Sequence, residues 1–120
     1  MTKATIYHNP QCSTSRAVLD LLRDGGHDVT VVEYLKTPLT AGEIGTLLDR
    51  MGVTARAILR RKAPPYDTLN LDDATWSNDD LIGFIAAHPI LLERPIVVTA
   101  KGGVLCRPKA EAEAILASVL

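Results

Sequence analysis

The fold is decided by residues 3–35, which read KATIYHNPQCSTSRAVLDLLRDGGHDVTVVEYL. Residues 3–7 alternate small polar side chains with apolar or β-branched ones and predict a short strand. Apolar residues then recur at helical spacing over residues 13–23, and the glycine pair at 25–26 ends that helix. Residues 28–35 are rich in valine and predict a second strand. A strand, a helix and a strand in this order predict a βαβ unit.

The middle of the chain is predicted to be helical. Thr40 and Glu43 have the spacing of a capping box, at the start of a helix that ends at Gly52. A shorter helix is predicted over residues 55–60, and the proline pair at 64–65 breaks it.

The last third of the chain predicts a helix, a hairpin and a terminal helix. Ser77 and Asp80 cap the first of these helices, and Pro89 ends it. The hairpin strands and the terminal helix fall at residues 95–98, 103–106 and 110–120. The whole order is β-α-β, a helical insert, then β-β-α, which is a thioredoxin-like layout. We therefore predict the α/β class, with a small mixed sheet flanked by helices in a single domain over residues 1–120.

Composition and charge exclude several classes of protein. The chain has 120 residues, 47% of them hydrophobic, which is too apolar for a disordered protein. Its formal net charge of -1 argues against a nucleic-acid binder, which usually carries a basic excess. No apolar run approaches the roughly 20 residues that span a bilayer, and residues 1–10 lack the apolar segment of a signal peptide. We expect a cytoplasmic protein that binds neither nucleic acid nor membranes.

Cys12 is the first candidate for chemistry. It follows a predicted strand and a turn at Pro10, and it stands where the first helix begins. Unpaired N–H groups and the helix dipole favour an anion there, and the thiolate is the nucleophilic form of cysteine. The polar residues that flank Cys12 argue against a buried, purely packing role. His8, on the other side of the turn, could supply a nearby cation or a hydrogen-bond donor.

The second thiol of a redox motif is missing. Cys12 and Ser15 stand at the two ends of a C-x-x-C spacing, with serine in place of the second cysteine. A redox cycle would therefore need a resolving thiol from elsewhere. Cys106 precedes Arg107 on a predicted strand, and neighbouring strand residues face opposite sides. If Arg107 faces Cys12, Cys106 does not, which favours an external thiol and a core position for Cys106.

Four arginines stand at the ends of predicted elements, where loops converge on functional sites. Arg60 and Arg61 follow a short helix, and Arg94 and Arg107 each precede a proline. Arginine carries a fixed charge and forked donors suited to a tetrahedral oxyanion. The cysteines and histidines show no zinc-ligand spacing, so we predict no metal site. A phosphate-binding P-loop is missing, and Val18 stands where a tyrosine-phosphatase loop would need an arginine.

Six segments of the chain resemble the glutaredoxin-dependent arsenate reductases, the ArsC family, between residue 3 and about residue 116. They read YHNPxCxxSR, AILRRK, PY, HPIL, RPIVV and LCRP, and they begin at residues 7, 57, 65, 88, 94 and 105. The resemblance implies that Cys12 is the nucleophile and that His8 helps to keep its thiol ionised. It also implies three oxyanion-binding arginines, which are Arg60, Arg94 and Arg107.

The same resemblance implies the partners of the reaction. Arsenate would be the substrate, glutathione the co-substrate and glutaredoxin the protein that regenerates the thiol. No tightly bound cofactor is expected, and the role would be in arsenical resistance. Analogy with thioredoxin-like proteins further suggests a cis peptide bond before Pro95, which would place Arg94 beside Cys12.

Two alternatives stay open from the sequence. One is a reductase-like paralogue that acts on another substrate or forms mixed disulfides with glutathione. The other is a thioredoxin-like transcription regulator that contacts RNA polymerase. Such regulators typically carry a C-x-x-C pair and lack the sequence His8-Asn9-Pro10, so Ser15 and His8 count against that interpretation.

Overall fold

The computed structural model describes residues 2–120, and they divide into two compact units. The first unit contains the chain up to Thr37 together with Arg94–Leu120, and the second contains Pro38–Glu93. The single domain predicted over residues 1–120 stays a prediction.

The first unit contains a mixed sheet of four strands. These are β1 (Lys3–Tyr7), β2 (Asp28–Val32), β3 (Ile96–Thr99) and β4 (Gly102–Leu105), in the order β2-β1-β3-β4. Strand β1 pairs with β2 in parallel and with β3 antiparallel, and β3 pairs with β4 antiparallel. The predicted βαβ unit and the predicted hairpin are therefore confirmed.

Helices α1 (Ser13–Asp24) and α5 (Ala112–Ala117) cover the apolar side of this sheet. Their buried side chains form one core with β1 and β3, made of Ala4, Ile6, Val18, Leu19, Leu22, Val97, Cys106, Ala112, Leu116 and Val119. The hydroxyl of Thr99 donates to the carbonyl of Val119 at 2.6 Å and attaches the C-terminal segment to β3. This core supports the two segments that carry Cys12 and Arg107.

The second unit consists of helices. Both predicted capping boxes are present at the starts of α2 (Ala41–Met51) and α4 (Asn78–Ala87). Gly52 ends α2 with φ 68, a left-handed conformation that glycine adopts without strain. These boundaries depend on local chemistry, which explains why the sequence predicts them.

Two predictions for the second unit are wrong in detail. The helix expected over residues 55–60 is a short 3-10 helix, Ala55–Ile58. Pro64 and Pro65 do not interrupt structure but begin a helix, α3 (Pro64–Thr68), as its first residues. Proline is tolerated there because the N–H groups of a first helical turn have no partner in the helix. A second 3-10 helix, Pro89–Leu91, follows α4.

Two predictions for the first unit are also wrong in their boundaries. Strand β2 ends at Val32, because the carbonyl of Glu33 accepts the N–H groups of Lys36 and Thr37 and the chain turns. The terminal helix divides into a 3-10 turn, Lys109–Glu111, and α5. Over residues 2–120, no helix is both long enough and apolar enough to cross a membrane.

Candidate active site

The loop between β1 and α1 is held together by Asn9. Its side-chain Oδ1 accepts the N–H of Gln11 at 2.9 Å, and its backbone carbonyl accepts the N–H of Cys12 at 3.0 Å. Arg16 then donates from Nη1 to the carbonyl of Pro10 at 2.8 Å. Because each bond spans only a few residues, this short segment fixes its own shape and presents Cys12 at the helix entrance.

Cys12 is the N-cap residue of α1. Its backbone is extended, with φ -93 and ψ 121, and its carbonyl accepts the N–H of Arg16 at 3.0 Å. The thiol makes no capping hydrogen bond, but backbone N–H groups of the first turn lie near enough to stabilise the anionic sulfur. The side chain is only 8% exposed, so the expectation that polar neighbours keep it out of a buried position is wrong. Its neighbours Thr14 and Ser15 are polar yet buried themselves.

The pKa of the Cys12 thiol is lowered from its ordinary value. Burial is the largest single influence and acts in the opposite direction, because it disfavours the charged form. The backbone N–H groups of Ser15 and Thr14, the charge of Arg94 and a hydrogen bond from Arg107 together outweigh it. The thiolate is therefore stabilised by the helix terminus and by two cations, as expected for a nucleophilic cysteine.

Arg107 is the cation with a defined contact to the sulfur. Its Nη1 lies 3.7 Å from Cys12 Sγ and donates to the carbonyl of Arg94 at 3.1 Å. Both arginines are half-buried and precede prolines, and both peptide bonds, Arg94-Pro95 and Arg107-Pro108, are cis. The fold thus brings together Cys12, Arg94 and Arg107, all predicted from the sequence.

His8 is buried and close to Ser15. Its Nδ1 lies 2.6 Å from Ser15 Oγ. The pKa of His8 is lowered, mainly by burial, with Arg23 and Arg16 adding to the effect and Glu33 opposing it. A lowered pKa favours the neutral ring near pH 7, so of the two roles open from the sequence, cation or hydrogen-bond partner, the second fits this environment better. The effect of His8 on the Cys12 thiol stays a prediction.

Arg60 belongs to the second unit. It follows the bridge that Leu59 forms with Leu92, and its own N–H donates to the carbonyl of Leu91 at 2.7 Å. Its side chain is half-buried, whereas the neighbouring Arg61 is exposed. The contribution of Arg60 to oxyanion binding stays a prediction.

Cys106 lies in the core of the first unit, as predicted. It is 0% exposed, and burial raises the pKa of its thiol to about 12. The adjacent Arg107 contacts the Cys12 sulfur, so the two neighbours do face different surroundings. Among residues 2–120, no cluster of three or more histidine, cysteine, aspartate or glutamate side chains could hold a metal ion.

Ser15 has contacts that its place in the C-x-x-C spacing does not predict. The spacing marks it only as a missing second thiol, whereas its hydroxyl contacts both His8 and the backbone of Asn9. A signal was present, since a serine in the first turn of a helix can reach back to the preceding loop.

Comparisons with known proteins show the family to which the chain belongs. The model of the ArsC family matches residues 7–115. A protein of Yersinia enterocolitica named arsenate reductase is 51% identical over 108 residues, which cover 90% of this chain and 77% of the relative. The arsenate reductase of Escherichia coli K12 is 47% identical over the same shares of both chains. A solved arsenate reductase from Vibrio cholerae has a TM-score of 0.87 and 39% identity, over 95% of this chain and 98% of its own, which supports the thioredoxin-like α/β fold. From these similarities we conclude that the chain belongs to the ArsC family.

Proposed function

We propose that this protein is an arsenate reductase in which the Cys12 thiolate attacks arsenate, with glutathione and glutaredoxin as electron donors. The names of the similar proteins support the substrate. The observation that carries the proposal is the Cys12 thiol at the start of α1, with its lowered pKa and Arg107 Nη1 at 3.7 Å. A thiolate beside a guanidinium group is suited to attack on an oxyanion whose negative charge would otherwise repel it.

Binding would use the same charges that stabilise the thiolate. Arg94 and Arg107 would bind arsenate oxygens beside the helix terminus, and family resemblance adds Arg60. Bound there, the arsenic would lie within reach of the sulfur, and the oxyanion charge would be partly neutralised before attack.

The chemistry balances as a two-electron reduction. The thiolate displaces one oxygen of arsenate, which leaves as water after protonation, and a sulfur–arsenic bond forms. Glutathione then attacks the thiol-bound arsenic and displaces a second oxygen as water. The two sulfur atoms leave the arsenic as a Cys12–glutathione disulfide, the electron pair stays on arsenic, and As(V) leaves as As(III), arsenite. Glutaredoxin reduces the mixed disulfide and regenerates the Cys12 thiol.

External thiols are proposed because the chain offers no suitable second one. Ser15 replaces the second cysteine of the motif, and the other cysteine, Cys106, is fully buried with a pKa raised to about 12. A thiol of that kind holds almost no thiolate at neutral pH. Dependence on glutathione also fits a protein of the cytoplasm without a tightly bound cofactor.

The test is arsenate-dependent oxidation of NADPH in the presence of glutathione, glutaredoxin and glutathione reductase. We expect turnover that Cys12→Ser abolishes and that Cys106→Ala, a matched cysteine control, retains. Turnover that survives in Cys12→Ser would contradict the mechanism. If the wild-type protein shows none although Cys12 still reacts with iodoacetamide, the substrate proposal is wrong and the paralogue with another substrate is favoured.

A further inference from the structure

The hydroxyl of Ser15 is buried between two groups of the preceding loop. Ser15 is 0% exposed, and its Oγ accepts the N–H of Asn9 at 3.1 Å while Nδ1 of His8 lies 2.6 Å away. Ser13, two residues earlier on the same helix, is exposed. The two hydroxyls therefore differ in environment although both belong to the first turn of α1.

The direction of the Ser15–His8 hydrogen bond depends on the tautomer of the ring, and the burial of Ser15 favours one direction. The N–H of Asn9 occupies one lone pair of Oγ, and the hydroxyl has a single proton to donate. Within residues 2–120, Nδ1 of His8 is the contact of Oγ that can accept this proton, and a proton on Nδ1 would leave the buried hydroxyl without that acceptor. Because a neutral imidazole carries one proton, donation to Nδ1 places the ring proton on Nε2.

Ser15 also faces the reactive sulfur through its backbone. Among the N–H groups of the first turn, that of Ser15 lowers the pKa of the Cys12 thiol most. One residue thus touches His8 and Asn9 with its side chain and acts on Cys12 with its main chain. Removal of the hydroxyl should therefore change the pKa of the Cys12 thiol.

We propose that Ser15 is a positioning residue whose buried hydroxyl holds His8 as the neutral Nε2–H tautomer and fixes the backbone at Asn9, which keeps the first-turn N–H groups directed at Cys12. The inference rests on the proposed role of Cys12 as nucleophile. It also gives the serine of the C-x-x-S motif a function of its own.

Several charged groups act on these two sites besides Ser15. Glu33, Arg23 and Arg16 influence His8, while Arg94 and Arg107 influence Cys12. A substitution at Ser15 removes none of these charges, so any change of titration in such a variant begins with the lost hydroxyl.

The first experiment reads the histidine directly in the wild-type protein. Long-range ¹H–¹⁵N NMR spectra of the ring at pH 8 distinguish a protonated Nε2 from a protonated Nδ1. We expect the ¹⁵N signal of Nδ1 to be that of an unprotonated, hydrogen-bonded nitrogen, and the signal of Nε2 to be that of a protonated one. A ring that is mainly protonated on Nδ1 would overturn the proposal, and this measurement needs no variant to fold.

The second experiment follows alkylation of Cys12 by iodoacetamide against pH in Ser15→Ala, Ser15→Thr and the control Ser13→Ala, each checked for folding by circular dichroism. In Ser15→Ala the midpoint should rise by roughly half a pH unit or more, a loss of about threefold in thiolate below the midpoint. The midpoint of Ser15→Thr, which keeps the hydroxyl, should lie closer to the wild-type midpoint than that of Ser15→Ala does. The midpoint of Ser13→Ala should equal that of the wild type.

The outcomes separate this inference from the proposed function. An unmoved midpoint in Ser15→Ala, or a folded Ser15→Thr that titrates like the alanine variant, would overturn the role of the hydroxyl. Neither experiment contains arsenate. A protein that passes both and still fails to reduce arsenate would refute the substrate and leave the role of Ser15 intact.

Discussion

The two cysteines of this chain are both buried, yet the pKa values of their thiols are shifted in opposite directions. Cys12 is 8% exposed and its pKa is lowered, whereas Cys106 is 0% exposed and its pKa is raised to about 12. Burial disfavours the thiolate at both positions. At Cys12, first-turn N–H groups and two arginines overcome that effect, and at Cys106 burial is the cause of the shift.

The pKa of a buried thiol in this fold therefore depends on the groups that surround the sulfur. The start of α1 offers backbone N–H groups without helical partners, and the segments around Arg94 and Arg107 add positive charge. After β4, the Cys106 thiol lies among the apolar side chains of the core.

Alkylation of the native protein should be almost confined to Cys12. At pH 8 a thiol with a pKa of about 12 holds roughly one thiolate in 10⁴, so we expect rates at the two cysteines to differ by about 10³-fold or more. Peptide mass spectrometry after brief treatment with iodoacetamide measures both rates. Comparable modification of Cys106 in folded protein would contradict the comparison.

Arg107→Ala should raise the pKa of the Cys12 thiol and weaken the binding of the oxyanion. The variant loses the guanidinium contact at 3.7 Å from the sulfur. Loss of a charged hydrogen-bonding group of this kind costs about 1.5–3 kcal/mol, or roughly 10- to 150-fold in kcat/KM for arsenate. Steady-state kinetics provide the measurement, and the exposed Arg61→Ala serves as the arginine control. Unchanged kinetics in Arg107→Ala would remove this residue from the site.

The free energy of unfolding should fall in alkaline solution because the buried Cys106 thiol resists ionisation in the folded protein. Its folded pKa of about 12 exceeds the ordinary value of 9.0, so the unfolded chain ionises first as the pH rises. The stabilising effect of the protonated thiol is complete below pH 9 and is lost between about pH 9 and 12, by about 1.4 kcal/mol per pH unit. Urea denaturation at pH 8 and pH 10 should show a smaller loss in Cys106→Ala than in wild type. Equal losses would show that Cys106 is not the cause.

His8→Ala should raise the pKa of Cys12, by less than Arg107→Ala does. Removal of the ring leaves the buried Ser15 hydroxyl without its partner and loosens the loop before α1. The pH dependence of alkylation reports the change, with His88→Ala as the histidine control. An unmoved profile would leave the helix terminus and the two arginines as the whole cause of the lowered pKa.

The sequence predicts the parts of this molecule that depend on near neighbours. Thr40 with Glu43 and Ser77 with Asp80 form capping boxes as expected, and Gly52 ends α2. Cys12 at the start of α1 is predicted for the same reason, because the break at Pro10 and the helical spacing after it are local signals. The proline pair that begins α3 was misjudged, since proline also fits the first turn of a helix.

Tertiary structure decides what depends on distant residues. Arg107 lies 95 positions beyond Cys12 and contacts its sulfur only because β1, β3 and β4 pair in one sheet. The burial of Cys12 and the contact of His8 with Ser15 depend likewise on packing around the loop. The sequence alone specifies the βαβ unit, the hairpin and a thiol at a helix N-terminus, because side-chain periodicity, turn residues and helix caps are local signals. The protonation of that thiol was decided only by the folded chain, because desolvation and charge depend on distances in space and not along the sequence.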